Sequence, residues 1–230
     1  MMQSQRGIHL VWHAEGSEFC LNKILINLRD EEARYPHKVA MVMGGECEQF
    51  FPMSLIKRRK QIKKNVRNSR GTMTMKKINI DTVFGVVDTS GYVRLADLDR
   101  KFCVQEALGL IEDVVMLMKR AEDYLLYPED YILTTNNVYL KHVEEHESRK
   151  VKVAFIPANR ESGRTGGWNE NFGYFIHELR KICSPDGQYY INRLSEEVYS
   201  KDRKYKGMGY AGLINLINKL KAEAYANGVR

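Results

Sequence analysis

The chain has 230 residues, of which 43% are apolar, enough for one sizeable core or two small lobes and too many for a disordered chain. Its 36 lysines and arginines against 29 acidic residues give a formal charge of +7, which directs attention to anionic partners. No apolar run reaches the length of a membrane span, and the N-terminus lacks an apolar run followed by a small-residue cleavage site, so neither a transmembrane segment nor a signal peptide is expected.

Residues 7–13 and 19–28 are predicted strands joined by the turn Ala14-Glu15-Gly16-Ser17, and so form a hairpin. Lys38-Val39-Ala40-Met41-Val42-Met43 reads as a third strand closed by Gly44-Gly45. That glycine pair is a turn and not a phosphate loop, because neither a Gly-x-Gly-x-x-Gly nor a Gly-Lys-Ser/Thr pattern follows.

Between Glu48 and Asp81 there is no acidic residue, while Lys57, Arg58, Arg59, Lys60, Lys63, Lys64, Arg67, Arg70, Lys76 and Lys77 supply ten positive charges. Without these ten the chain carries −3, so the net charge is local to an insertion at about 53–77. Such a block binds phosphates of nucleic acid, anionic lipid headgroups or an acidic protein surface. The first eight of these residues are the interaction candidates, and the segment reads as a solvated or protein-facing loop. No aromatic residue lies between 52 and 83, which argues against stacking on single strands. Nucleic-acid binding without sequence preference is the corresponding expectation.

Residues 77–87 read as a strand, Asp88-Thr89-Ser90-Gly91 as a turn and Tyr92-Val93-Arg94-Leu95 as the return strand. The acidic pair of Ala96-Asp97-Leu98-Asp99 then sits where a helix dipole favours negative charge. Val104, Ala107, Leu108, Ile111, Val114, Val115, Met118, Ala121 and Leu125 recur every three to four residues and predict a long amphipathic helix. Pro128 stops it at about Leu126. Runs at 131–134 and 138–143 read as strands separated by Asn136-Asn137, and 150–156 as the partner of the second run.

His142-Val143-Glu144-Glu145-His146 has the order of an inverted zinc-peptidase motif. On a hairpin, the expected setting, its histidines do not converge as they would on a helix. A metal-dependent hydrolase is therefore the least favoured reading, and no metal site is expected. The four cysteines, Cys20, Cys47, Cys103 and Cys183, form no Cys-x-x-Cys pair; zinc and a secreted disulfide framework are both disfavoured, and the cytoplasm is the expected compartment. Residues 158–167 carry no hydrophobic period and read as a loop. Asn169 or Asn171 is placed to cap a helix burying Phe172, Phe175, Ile176, Leu179 and Ile182. Two further helices bury Ile191, Leu194 and Val198, then Leu213, Leu216, Ile217, Leu220 and Ala224.

A helix followed by Pro128-Glu129-Asp130, Ile132-Leu133, a polar turn and a strand resembles the second lobe of a protein kinase. More specifically, the chain over roughly 78–222 resembles a bacterial family of kinase-like domains of unknown function, often found ahead of a forkhead-associated domain. That family is in turn similar to the pseudokinase domain of the type VII secretion protein EssB/YukC. Its aspartate and serine-glycine before the helix correspond to Asp88 and Ser90-Gly91. The resemblance implies that Leu125 stands at the position of the catalytic aspartate, and that Phe155-Ile156-Pro157 replaces the magnesium-binding Asp-Phe-Gly. Asp130 stands where a second magnesium ligand would be, and reads as a local cap.

The expected architecture is α+β and pseudokinase-like: a small, mainly antiparallel β lobe over 1–98 followed by a helical lobe over 99–230 with an internal hairpin. The expected function is a non-catalytic, intracellular protein-interaction module of a bacterial secretion or signalling assembly, without catalytic residues or cofactor. Nucleic-acid binding through 57–77 is the alternative.

Overall fold

The chain is α+β in the computed structural model, which describes residues 8–9, 23–27, 36–67, 73–141, 150–156, 168–199 and 209–229; for some of these, Arg58 and Lys60 among them, the backbone alone is described. Two compact units divide it. The first comprises Met1–Glu46 with Pro52–Ser90, and the second Cys47–Phe51 with Gly91–Arg230, so the division falls before residue 98 and the short segment Cys47–Phe51 goes with the helices.

The first unit is a four-stranded antiparallel sheet in the order β1 (Ile8–His9), β2 (Lys23–Asn27), β4 (Met73–Asp88), β3 (Met53–Arg67). The expected N-terminal hairpin is present, pairing Ile8 with Ile26 and His9 with Leu25. The expected strand at 38–43 is instead a helix, α1 (Pro36–Gly44). Pro36 occupies a first-turn position, where its missing N–H and fixed φ suit a helix. Gly45, at φ +68, turns the chain out in the left-handed conformation that closes helices, its N–H donating to the Val42 carbonyl at 3.3 Å.

A larger correction concerns 53–77. Where the sequence reads as a basic loop, the chain forms two long strands, and β3 pairs with β4 in unbroken register from Met53↔Val87 to Arg67↔Met73. β2 covers β4 only from Phe84 to Asp88. The eleven pairs from Lys57↔Val83 to Arg67↔Met73 thus form a ribbon with no third strand among the described residues. At its base Gly85 is required by packing: a Cβ there would meet the Met53 thioether sulfur at 1.9 Å.

The second unit is built on α2 (Val104–Glu122). The eight expected stripe residues from Val104 to Ala121 are all buried, and so are Leu110 and Leu117, so more than one face of this helix is covered. It packs against α4 (Pro185–Tyr199), α5 (Tyr210–Ala226) and β7 (Val151–Val153). α3 (Trp168–Lys181) packs on α4 and buries Phe172, Phe175, Ile176 and Leu179. Beside the helices lies a three-stranded antiparallel sheet in the order β5 (Tyr92–Arg94), β6 (Val138–Lys141), β7. The hairpin expected from the runs at 138–143 and 150–156 is β6–β7, with Val138 opposite Val153.

Tyr92–Arg94 does not return along the preceding strand as expected; it pairs with β6. Asp88 turns the chain instead, accepting the Ser90 N–H at 2.9 Å and its hydroxyl at 2.6 Å, with Gly91 at φ +77. Asp97 serves no helix dipole either. It pairs in two-pronged fashion with Arg94, at 2.6 and 2.8 Å, while Glu106 is the acidic group in the first turn of α2.

Candidate functional site

Two regions compete for the role of functional site, one in each unit. In the second unit, the positions that the expected kinase resemblance singles out begin at the end of α2. The Leu126 N–H donates to the Ala121 carbonyl at 3.1 Å and the Leu125 N–H to the Glu122 carbonyl at 2.9 Å. This pair of bonds is a Schellman closure, which demands a left-handed residue. That residue is Leu125, at φ 59 and 53% exposed. It therefore leaves the apolar stripe on which the sequence places it. The reason is geometric: Leu126 turns inward to cover the helix end, and the residue before it must point out.

Next comes a single 3-10 turn, Pro128–Asp130. Asp130 closes it, one carboxylate oxygen accepting the Tyr127 N–H at 3.0 Å while its own N–H donates to the Tyr127 carbonyl at 2.8 Å. Residues 131–134 do not continue as a ladder, because their polar groups are taken individually. The Ile132 N–H goes to the Ile156 carbonyl at 2.8 Å, and both donors of Thr134 reach the Asn137 amide oxygen, at 2.7 and 3.0 Å. The Asn137 amide nitrogen donates to the carbonyls of Ile132 and of Ala154, the latter at 3.3 Å.

The sequence reads Asn137 as a surface turn residue, yet it is fully buried and ties three segments together. Asn171 is not a cap of α3, which begins before it. Its amide donates to the carbonyls of Pro128, at 2.9 Å, and Tyr131, at 3.2 Å. Glu178 of the same helix accepts the N–H and hydroxyl of Thr135 at 2.9 and 3.1 Å. Every one of these side chains is occupied by backbone.

Phe155, which the expected resemblance sets at the position of a metal-binding aspartate, is buried in an aromatic cluster with Phe50 and Tyr131, centroids 5.7 and 6.3 Å away. Within that cluster the Tyr131 hydroxyl is buried without a hydrogen-bond partner among the described residues, and burial holds its pKa well above that of an ordinary phenol. Burial likewise pushes the Cys183 thiol up to about 12, far from a nucleophile at neutral pH. Among the described residues no three His, Cys, Asp or Glu side chains converge as a metal site. His142, His146 and the loop 158–167 lie outside the described residues.

In the first unit, the β3–β4 ribbon carries the interaction candidates. Lys57, Arg59 and Lys63 are exposed on β3, and Lys77 is exposed on β4. Arg58, Lys60, Lys64 and Arg67 occupy the intervening and distal positions of β3, and Arg70 lies outside the described residues. Directly opposed residues share a face, so register decides the neighbours. Lys63 is opposite Lys77 and Lys64 opposite Lys76, a double like-charge step, and Gln61 is opposite Asn79. The two amides meet, Gln61 donating to the Asn79 oxygen at 3.4 Å. Met73 and Met75 extend the same face toward the turn, 60% and 68% exposed.

Gln61, Asn79 and the two methionines are absent from the sequence-based candidates. One signal for them existed: Lys63-Lys64 and Lys76-Lys77 lie symmetrically about Arg70 in the sequence.

No protein-family model and no curated protein matches the chain. No helix among the described residues is long and apolar enough to cross a membrane.

Proposed function

We propose that the chain is a non-catalytic, pseudokinase-like interaction module, working in the cytoplasm by docking a protein partner within a bacterial secretion or signalling assembly, without cofactor. The observation that carries this reading is the fate of the kinase-like positions. Leu125 is an aliphatic side chain in a helix-closing turn, unable to accept a proton, and Phe155 is a buried ring with no oxygen to offer magnesium. Asp130 already caps a turn, and a lone carboxylate holds a hard cation weakly.

The test is a kinase and ATPase assay of the full chain with magnesium and with manganese. Background turnover is expected; turnover lost in Asp130→Ala would overturn the reading. A second reading, nucleic-acid binding through the basic segment, is favoured by one specific observation: that segment is an ordered two-stranded ribbon and not a loop.

A further inference from the structure

We infer that the distal β3–β4 ribbon is a major-groove element for duplex DNA, an inference that rests on the second reading above and not on the inertness of the helical unit. Three features of one face lead there. The first is size. Eleven pairs with no third strand among the described residues, at a rise of about 3.3 Å per residue, make a rod of about 36 Å, close to one turn of duplex, and a two-stranded ribbon is an element the major groove admits.

The second is charge. Lys63 faces Lys77 directly, an arrangement that costs stability in the free protein and that phosphates on either side of a groove relieve. Protection of a sheet edge does not account for it, since charges of either sign blunt an edge and the ribbon outward from Lys60↔Ile80 has no acidic residue, Asp81 opposite Arg59 lying nearer its base.

The third is the neutral pair between the cations. Gln61 and Asn79 touch only through a long bond of 3.4 Å in solvent, which is readily exchanged. Their amides carry the paired donor and acceptor that match an adenine edge. A lipid surface uses the lysines and has no role for the amides. Single strands want aromatic platforms, absent from 52 to 83, and the major groove of A-form RNA is too narrow for side chains.

The full chain is titrated by fluorescence anisotropy against a DNA duplex of about 20 base pairs, the matching single strand, the same sequence as RNA duplex, and polyglutamate. Sedimentation with phosphatidylserine–phosphatidylcholine vesicles completes the set. At about 200 mM salt the DNA duplex is expected to bind about tenfold tighter than every other probe. Gln61→Ala with Asn79→Ala lowers duplex affinity about tenfold at unchanged salt slope, whereas Lys63→Ala with Lys77→Ala reduces the slope by about 2. Should a variant fail to fold, the unaltered protein still decides: it displaces a dye seated in the major groove and spares one seated in the minor groove.

Equal binding of all nucleic acids would overturn the groove inference and leave nucleic-acid binding standing. Preference for vesicles or polyglutamate, or no binding at about 50 mM salt, would overturn both.

Discussion

Asn137 is the residue on which the sheet–helix junction of the second unit turns. Its amide satisfies Thr134 on one side and the carbonyls of Ile132 and Ala154 on the other, with Asn137 and Ala154 themselves buried. Asn137→Ala strands these groups, and a loss of about 3 kcal/mol in unfolding free energy is expected from urea denaturation. Tyr131 predicts the opposite sign. Its hydroxyl is buried without a partner among the described residues, so Tyr131→Phe removes a desolvated polar group while keeping the ring that packs edge-on to Phe50 at 5.0 Å. A gain of about 1 kcal/mol is expected, measurable as a higher midpoint in the same titration; a loss would mean that the hydroxyl does useful work in the fold.

At the scale of elements, α2 is held at its start by Glu106. This carboxylate accepts the Cys103 N–H at 3.1 Å and two contacts from Arg100, at 2.7 and 2.8 Å. Burial alone would raise its pKa, but the Arg100 and Cys103 hydrogen bonds outweigh it and hold the group below its ordinary value. A carboxylate depressed in the folded state stabilises above the ordinary carboxylate range, and that contribution disappears as pH falls through its folded value. Glu106→Gln should therefore cost about 0.5 kcal/mol at neutral pH, both partners reaching solvent, and the difference from the parent should vanish in acid. Thermal melts across that pH range check both points.

The ribbon makes a prediction of its own. Lys63→Glu turns the like pair with Lys77 into an attractive one, so at low salt the protein gains about 1 kcal/mol while losing duplex binding. A rise in melting temperature paired with that loss would identify a surface kept at some cost in stability, and the gain should shrink as salt screens the pair.

Over the whole molecule, charge and core are segregated. The ten basic residues of 57–77 sit in a unit where the β3–β4 ribbon has no third strand beyond Phe84 among the described residues, while the helical unit buries α2 on more than one face. Scaffold and charged surface therefore occupy different compact units, and substitutions on the exposed face of the ribbon should leave the helical core untouched.

The sequence by itself determined the four helices of the second unit, because stripes such as Leu213, Leu216, Ile217, Leu220 and Ala224 fall one helical turn apart, and periodic burial of side chains is a local property of the chain. It also determined the β6–β7 hairpin, but the helix expected to run to about Leu126 ends at Glu122 and is closed by the left-handed Leu125. Three matters were decided only by tertiary structure. Lys38–Met43 is too short for periodicity to separate strand from helix, and Pro36 and Gly45 tip it to helix. The run 57–77 looks like a solvated loop because lysine and arginine are poor strand formers, and pairing along the whole length of β4 supplies the backbone partners that propensity does not. Asn137 reads as a turn residue because sequence records its polarity but not its surroundings; the backbone of Ala154, 17 residues on, joins Ile132 and Thr134 at its amide, and that convergence turns a turn residue into a buried clasp.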